Sequence, residues 1–314
     1  MIIQTGLRTD IPAFYTPWFL RRLQEGYVLV RSPYNPTLVT RYRLSPEVVD
    51  CIGFCTKNPA PMLSHMDALA PYGQYWFVTI TPYGRDIEPN VPPREQVMAD
   101  FRRLSDAVGP ACTAWRYDPI LLTEAYTVER HLSEFASMCK ALEGATHVCV
   151  ISFIDLYAKV KRNFPEVRAV SREEQHLLAR EMAAIAARHD IRIRACHEDN
   201  ALTAYGVDCT GCMTLAVYET ALQCRLNAPK QRAAVRGCAC HLTCDIGAYN
   251  TCAHLCRYCY ANHDAASVRR AMAEHDPASP LLTGHVQPGD RIHDARQERW
   301  RDGQISMLGE NLHL

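Results

Sequence analysis

Short apolar runs that end in polar residues recur along the chain. They are MIIQTGLRTD at 1–10, CIGFCTKNP at 51–59, YWFVTITPY at 75–83, CTAWRYDP at 112–119, HVCVISFID at 147–155 and IRIRACHED at 191–199. A continuous apolar run of this length is typical of a strand that is buried on both faces of a parallel sheet. The pattern therefore predicts six parallel strands with polar groups at their carboxyl ends.

Helical periodicity fills the segments between these runs. It predicts helices over Ala13–Gly26, Pro61–Ala70, Arg94–Val108, Ala125–Leu142 and Ser171–His189. Alternation of strands and helices is the signature of an α/β fold. With one more strand expected before residue 252, the order predicts a full or partial β/α barrel of the TIM type. An open doubly wound sheet is the alternative.

Polar side chains follow each predicted strand, and in a barrel the carboxyl ends of the strands surround one cavity. The candidate ligand contacts are Arg8, Asp10, Lys57, Asn58, Arg116, Asp118, Ser152, Asp155, His197 and Glu198. For any single residue, capping of the following helix or closure of a turn is about as common a role. No GxGxxG or GxxxxGK[ST] motif follows a strand, which argues against a Rossmann or P-loop nucleotide site.

Composition excludes several classes of protein. The 314 residues are 48% hydrophobic, as in a core-forming globular protein, and 34 basic residues balance 34 acidic residues. This balance predicts neither a nucleic-acid partner nor a membrane partner, and no run of 18 apolar residues is present. We expect a soluble cytoplasmic protein that forms one integrated domain. Its parts are the βα units at 1–200, a cysteine-rich segment with the last strand at 201–262, and a helix with a wrapping tail at 263–314.

Cysteine content sets the chain apart. Ten of its fifteen cysteines lie between Cys196 and Cys259. In a long chain whose start does not resemble a signal peptide, this density favours reduced thiols for metal or redox chemistry over disulfides. Cys51, Cys55, Cys112, Cys139 and Cys149 lie in or beside apolar runs, and we expect them to be buried core residues.

The most specific motif is CxxxCxxC, formed by Cys252, Cys256 and Cys259, with Tyr258 and Tyr260 on either side of its last cysteine. A [4Fe–4S] cluster usually takes four cysteines, so a loop that offers three leaves one iron open to a reactant. The alternative is a structural zinc site, which more often uses two paired CxxC knuckles.

This loop, within DIGAYNTC at 245–252 and CRYCYAN at 256–262, resembles the cluster loop of radical S-adenosylmethionine enzymes. The resemblance implies a [4Fe–4S] cluster and S-adenosylmethionine as cofactors, and an electron donor such as flavodoxin or ferredoxin. It also implies that Tyr258 contacts the adenine. The loop normally follows the first barrel strand, so its position here implies a circularly permuted order, with the strand before Cys252 next to the N-terminal strand. The usual glycine–glycine–glutamate contact has no place downstream, and Arg8 and Asp10 are the expected substitutes.

A resemblance that covers nearly the whole chain is to the bacterial domain of unknown function 1848 family. It is carried by RTDIPAFY at 8–15, EGYVLVRSPYNP at 25–36, TKNPAPM at 56–62 and WRYDPI at 115–120, together with the cysteine loop. That family is regarded as radical S-adenosylmethionine-like, and the resemblance implies no particular substrate or reaction. Lys57, Asn58, Arg116 and Asp118 remain candidates for cofactor binding, with the two cations suited to a carboxylate or ribose.

A second group of cysteines lies upstream of the loop, where CTGC at 209–212 is a CxxC and CAC at 238–240 is a CxC. The family pattern implies Cys196, Cys212, Cys238 and Cys240 as the ligands, and Cys209 is able to replace one of them. An auxiliary [4Fe–4S] cluster is the first interpretation, and structural zinc is the second.

Overall fold

The computed structural model of the protein describes residues 1–229, 239–241 and 244–301. The nine strands within these residues are β1 Ile2–Gln4, β2 Tyr27–Arg31, β3 Leu38–Arg43, β4 Cys51–Thr56, β5 Gly73–Thr79, β6 Thr113–Ile120, β7 Val148–Phe153, β8 Arg192–Ala195 and β9 Arg291–Asp294. Six of them lie within or overlap the six apolar runs that the sequence predicted as strands.

These six strands form one parallel sheet in the order β1-β4-β5-β6-β7-β8. The α/β class is therefore confirmed. The other three form a small sheet in the order β2-β3-β9, with β2 antiparallel and β9 parallel to β3. Because its strands are parallel, the main sheet has all its carboxyl ends on one side. Parallel neighbours need crossover connections, and the intervening helices form them and pack against the sheet.

The helices are α1 Ile11–Phe14, α2 Thr16–Glu25, α3 Ala60–Leu63, α4 Met66–Leu69, α5 Arg94–Val108, α6 Val128–Leu142, α7 Ala158–Asn163, α8 Arg172–Ala187, α9 Leu215–Leu222 and α10 Ala265–Ala273. The predicted bounds of α5 are confirmed. Helix α6 begins three residues later than predicted, because Thr127 caps it. Helix α8 has a capping box between Ser171 and Glu174, which defines its start.

Two predicted helices are each divided in two. Between α1 and α2 the chain leaves helical geometry at Tyr15, and Pro17 occupies the first turn of α2. Between α3 and α4 the break falls at Ser64 and His65. Proline in a first helical turn is favourable, whereas within a helix it removes a hydrogen bond and clashes. Pro17 thus fits a helix that starts at Thr16, but the hydrophobic periodicity runs on through Tyr15 and gave no sign of the break there. Helix α7 was not predicted, because six residues carry too little periodicity.

The predicted full or partial TIM-type barrel is not shown, since the strand pairing in the described residues forms no closed sheet and leaves β1 and β8 at the edges. Single parallel bridges extend both edges, from Gln4 to Asp245 and from Arg194 to Asp208. Between these extensions, the backbone N–H of His241 donates to the carbonyl of Met213 at 2.7 Å. The segment before the cysteine loop thus lies beside the N-terminal strand, as the sequence predicted.

The main hydrophobic core combines residues from all three predicted segments of the chain. It includes Ile3 and Trp115 from the sheet, Cys212 and Ile246 from the cysteine-rich segment, and Trp300 near the end of the described chain. In the part of the chain that the structure covers, no helix is both long and apolar enough to cross a bilayer.

Candidate functional site

The cysteine loop at 252–259 lies over the carboxyl ends of β1, β4 and β5. His254 contacts Asp10, which follows β1, and the side chain of Asn90, beyond β5, donates to the carbonyl of Ala253 at 2.7 Å. The positive charge of Lys57, which follows β4, acts on the Cys256 thiol. Segments that follow three of the strands therefore surround the loop.

Backbone geometry turns the loop tightly between its cysteines. Leu255 has a φ of 56°, in the left-handed region that a non-glycine residue rarely adopts. The N–H of Cys259 donates to the carbonyl of Cys256 at 3.0 Å, and the side chain of Asn262 donates to the carbonyl of Cys252 at 2.7 Å. These bonds hold the three cysteines of the motif in one compact turn.

Burial raises the pKa of Cys252 and Cys256, and a charge on Cys259 raises both further. The neighbouring Lys57 opposes this effect at Cys256. Thiolates are the form that binds metals, so these partly buried sulfurs need a cation to lose their protons. Three soft sulfur donors in one loop fit an iron–sulfur cluster by their chemistry. Across the described ranges, however, no three or more His, Cys, Asp or Glu side chains are arranged to hold a metal ion.

A buried hydrogen-bond network lies beside the loop and centres on Glu88, which is 3% exposed. Its Oε1 accepts from Lys57 Nζ at 2.9 Å and from Thr81 Oγ1 at 2.8 Å, and the hydroxyl of Tyr258 also donates to it. Lys57 Nζ lies 5.7 Å from the centre of the Tyr258 ring. The network fixes the aromatic residue that precedes the last cysteine of the motif.

Asp10 and Arg8 support the loop through contacts within the protein. Asp10 accepts from the backbone N–H of Ala13 at 3.0 Å and of Lys57 at 2.7 Å, and its Oδ2 lies 2.8 Å from His254 Nε2. Arg8 donates to the carbonyl of Asp245 at 2.7 Å and pairs with its carboxylate at 2.5 Å. Asp10 therefore ties the N-terminal segment to the cysteine loop, and Arg8 ties it to the segment before the loop. This is the structural role that the sequence left open.

Asn58 likewise has a local role in the structure. Its side-chain oxygen accepts from the backbone N–H of Ala60 at 3.2 Å, at the start of α3. This is the turn-closing role that asparagine commonly has at such positions.

A second polar group occupies the ends of β6, β7 and β8. Arg116 forms an ion pair with Asp118, to which Ser152 Oγ also donates. Burial alone would raise the pKa of Asp118, but Arg116 and Ser152 hold it below its ordinary value. Glu198 accepts from the N–H of Phe153 at 2.7 Å, and burial with nearby carboxylates raises its pKa to about 7. Of the other predicted mouth residues, Asp155 and His197 are exposed.

Three of the four predicted auxiliary cysteines meet. Cys212 Sγ lies 3.3 Å from Cys196 Sγ and 3.7 Å from Cys240 Sγ. Cys240 also accepts from the backbone N–H of Met213 at 3.2 Å. Cys238 lies outside the described residues. Cys209 is directed elsewhere, because its Sγ lies 3.6 Å from the carbonyl of Asp199.

Gly211 allows this convergence. Its φ of 122° is outside the range that other residues readily adopt, and a Cβ there would lie 3.2 Å from Cys240 Sγ. The hydrogen bond from Cys212 lowers the pKa of Cys196 and raises that of Cys212. The nearby charge of Arg116 further favours the Cys196 thiolate.

The roles of two residues around the loop could not be found from the sequence, because their contacts are with distant parts of the chain. Glu88 lies in an irregular stretch after β5 and reaches Lys57 only in the folded chain. His254 lies within the motif itself, but no local signal indicates its contact with Asp10, which is 244 residues away. Burial of an acid or histidine is not visible in the sequence when the surrounding segment lacks periodicity.

The fold and this site define an α/β protein with a parallel sheet and a thiol-rich centre at the carboxyl ends of its strands. The family model described as "Domain of unknown function (DUF1848)" matches residues 2–261, which include the whole cysteine loop. The chain belongs to this family. A search of the curated proteins found no match.

Proposed function

We propose that this protein is a radical S-adenosylmethionine enzyme whose [4Fe–4S] cluster is held by Cys252, Cys256 and Cys259. The observation that carries the proposal is one compact turn with three cysteines, set over the carboxyl ends of a parallel sheet. When bound, the cluster and S-adenosylmethionine together supply a 5′-deoxyadenosyl radical that abstracts hydrogen from a substrate.

The residues around the loop suit this cofactor. Lys57 donates one hydrogen bond to Glu88 and retains further N–H donors, which suit a carboxylate. The Tyr258 ring offers a flat apolar surface, and its position is fixed by the bond to Glu88. These two residues are therefore proposed to orient the methionine and adenine ends of the cofactor.

The ends of β6, β7 and β8 are proposed as the substrate side of the site. The Arg116–Asp118 pair and Ser152 present charge and hydrogen-bonding groups there. With a pKa of about 7, Glu198 is able to donate or accept a proton near neutral pH. This arrangement supports a polar substrate, whose identity does not follow from these groups.

The six-stranded sheet is proposed to be part of a permuted β/α barrel. Support comes from the bridges of Asp245 and Asp208 to its two edges. None of the fourteen cysteines in the described ranges forms a disulfide, which supports a reducing compartment such as the cytoplasm.

An auxiliary [4Fe–4S] cluster is proposed for the second group of cysteines, with Cys238 as the fourth ligand. Zinc remains the alternative, and one observation favours it. Two thiolates on one tetrahedral zinc lie about 3.8 Å apart, as follows from a Zn–S bond of about 2.3 Å. The separation of Cys212 and Cys240 is 3.7 Å. If the cysteine loop also held zinc, the protein would be a zinc-stabilised α/β protein without radical chemistry.

The test is anaerobic purification and reconstitution, followed by iron, sulfide and zinc counts and a dithionite-driven assay for 5′-deoxyadenosine. About eight irons with release of the nucleoside indicate two four-iron clusters. About four irons with one zinc and release of the nucleoside place zinc in the second group. Zinc without iron, and no nucleoside, would overturn the proposal.

A further inference from the structure

Helix α7 forms an outer wall of the cysteine loop. Lys159 Nζ donates to the carbonyl of Tyr260, which directly follows the last cysteine of the motif. At the other end of the helix, the side chain of Asn163 donates to the carbonyl of His263 at 3.4 Å. The Arg257 guanidinium, from within the loop, lies 4.3 Å from the Phe164 ring. A protein that docked on α7 would therefore lie directly outside the loop.

The exposed side of this wall is basic. Residues 155–166 contain three cations and two carboxylates, and the two carboxylates, Asp155 and Glu166, stand at the ends of the stretch. Lys161 and Arg162 are exposed, and neither forms a salt bridge with any residue that the structure describes. The nearest part of the loop adds Arg257, although that charge is paired with Glu166. The chain as a whole has a formal charge of zero, so this is a local concentration of positive charge.

Two exposed aromatic side chains border the basic residues. Tyr157 immediately precedes α7 and Tyr260 follows the cysteine motif, and both are 56% exposed. The hydroxyl of Tyr157 donates to Asp155 at 3.0 Å and that of Tyr260 donates to the carbonyl of Leu7, so it is the ring surfaces that remain exposed. Aromatic side chains surrounded by charge are common at protein–protein interfaces, where the rings supply contact area and the charges guide the approach. We call the surface formed by Tyr157, Lys161, Arg162, Arg257 and Tyr260 the α7 face.

From these contacts and charges, we infer that the α7 face is the docking surface for an acidic one-electron carrier protein that contains a flavin or an iron–sulfur group. The inference rests on the proposed function, because only a redox group on the cysteine loop needs such a partner. Charge complementarity favours an acidic partner, and contact of α7 with the loop brings that partner close to the cysteines.

The test compares two variants with the same change of charge. Lys161→Glu with Arg162→Glu reverses the charge of two residues of the α7 face. Neither of these side chains holds a part of the cysteine loop. Lys140→Glu with Arg192→Glu is the control, since both residues are exposed, in the last turn of α6 and at the amino end of β8. The probe is a purified flavodoxin, and its affinity is measured by calorimetry at low and high salt.

We expect the first variant to bind flavodoxin at least about tenfold more weakly than the wild type, and the control to bind nearly as the wild type does. Flavodoxin-driven formation of 5′-deoxyadenosine should fall in parallel, whereas the dithionite-driven rate should not change. Equal flavodoxin affinity in the two variants, or no binding to the wild type, would overturn the inference.

Two further results separate the inference from the proposed function. If the wild type forms no 5′-deoxyadenosine with dithionite, the proposed function fails, and the affinity measurement still decides whether the carrier docks on α7. A single-stranded RNA oligonucleotide that binds the α7 face, where flavodoxin does not, would contradict the inference and indicate a nucleic-acid surface.

Discussion

The cysteine loop and the second cysteine group hold their sulfur atoms in different ways. The loop is fixed by hydrogen bonds from neighbouring residues, such as Asn262 to the carbonyl of Cys252, and its surroundings include the buried Lys57–Glu88 pair. In the second group the thiols contact one another directly, and Cys212 and Cys240 belong to the hydrophobic core. The difference indicates a loop that keeps its shape through protein contacts, and a second group whose stability depends on the state of its sulfurs.

The largest expected effect is on activity, when a loop cysteine is removed. Cys256→Ala should reduce dithionite-driven formation of 5′-deoxyadenosine by more than about 100-fold, because the cluster loses one of its three ligands. The fold should persist, since the loop is held by other contacts. Cys209→Ala is the matched control and should keep the activity. Global unfolding of the Cys256 variant, seen by circular dichroism, would mean that the loop is as dependent on its sulfurs as the second group.

Removal of the charge on Glu88 tests the protein contacts around the loop. Glu88→Gln leaves the buried Lys57 without its counter-charge, and we expect the free energy of unfolding to fall by about 3 kcal/mol. Urea denaturation of the reconstituted protein measures this change. Glu95→Gln is the control, because the Glu95 side chain is 70% exposed and should contribute less than about 0.5 kcal/mol. Similar stabilities for the two variants would show that the charged network does not hold the loop.

If both groups bind metal, acid will protonate their metal-bound thiolates, so a pH scan compares the two groups only after the contribution of a buried histidine is known. His131 is fully buried and bonded to Tyr117 and Leu121, and burial lowers its pKa to about 4. The unfolded chain takes up a proton near pH 6.5 and the folded chain does not, so stability falls as the pH drops from about 6.5 to 4.

For this histidine we expect a loss of about 2 kcal/mol between pH 7 and pH 5, as the linkage relation gives for a shift of this size. Urea denaturation at several pH values measures the slope. His131→Gln should remove most of it, whereas His147→Gln, at a half-exposed position, should leave it unchanged. An unaltered slope in the first variant would assign the acid sensitivity to the thiol groups instead.

The smallest expected effect is that of Cys212→Ala in the metal-free protein. The substitution removes one buried sulfur and its contacts with Cys196 and Cys240, and should cost about 1 kcal/mol. Thermal unfolding measures it, with Cys209→Ala as the control. In the reconstituted protein the same variant should lose far more stability if the second group binds metal, because metal binding contributes to folding. An equal cost with and without metal would contradict a metal at this group.

The sequence by itself determined the strands of the main sheet and the cysteine motif. Each strand is a contiguous apolar run, and burial on both faces of a parallel sheet requires such a run at each position. The spacing of Cys252, Cys256 and Cys259 is also local, so the motif could be read without the fold. Some residues at the strand ends lie together, as Arg116, Asp118 and Ser152 do, because parallel strands align their carboxyl ends.

Only the tertiary structure decided which of these residues contact one another. Asp10 and Arg8 looked like free ligand groups, but His254 and Asp245, more than 230 residues away, contact them. Glu88 gave no signal, and it is the partner of both Lys57 and Tyr258. Likewise, Cys212 contacts both Cys196 and Cys240, whereas Cys209 points away. Such pairings depend on strand order and on loop paths, which local hydrophobic patterns do not encode.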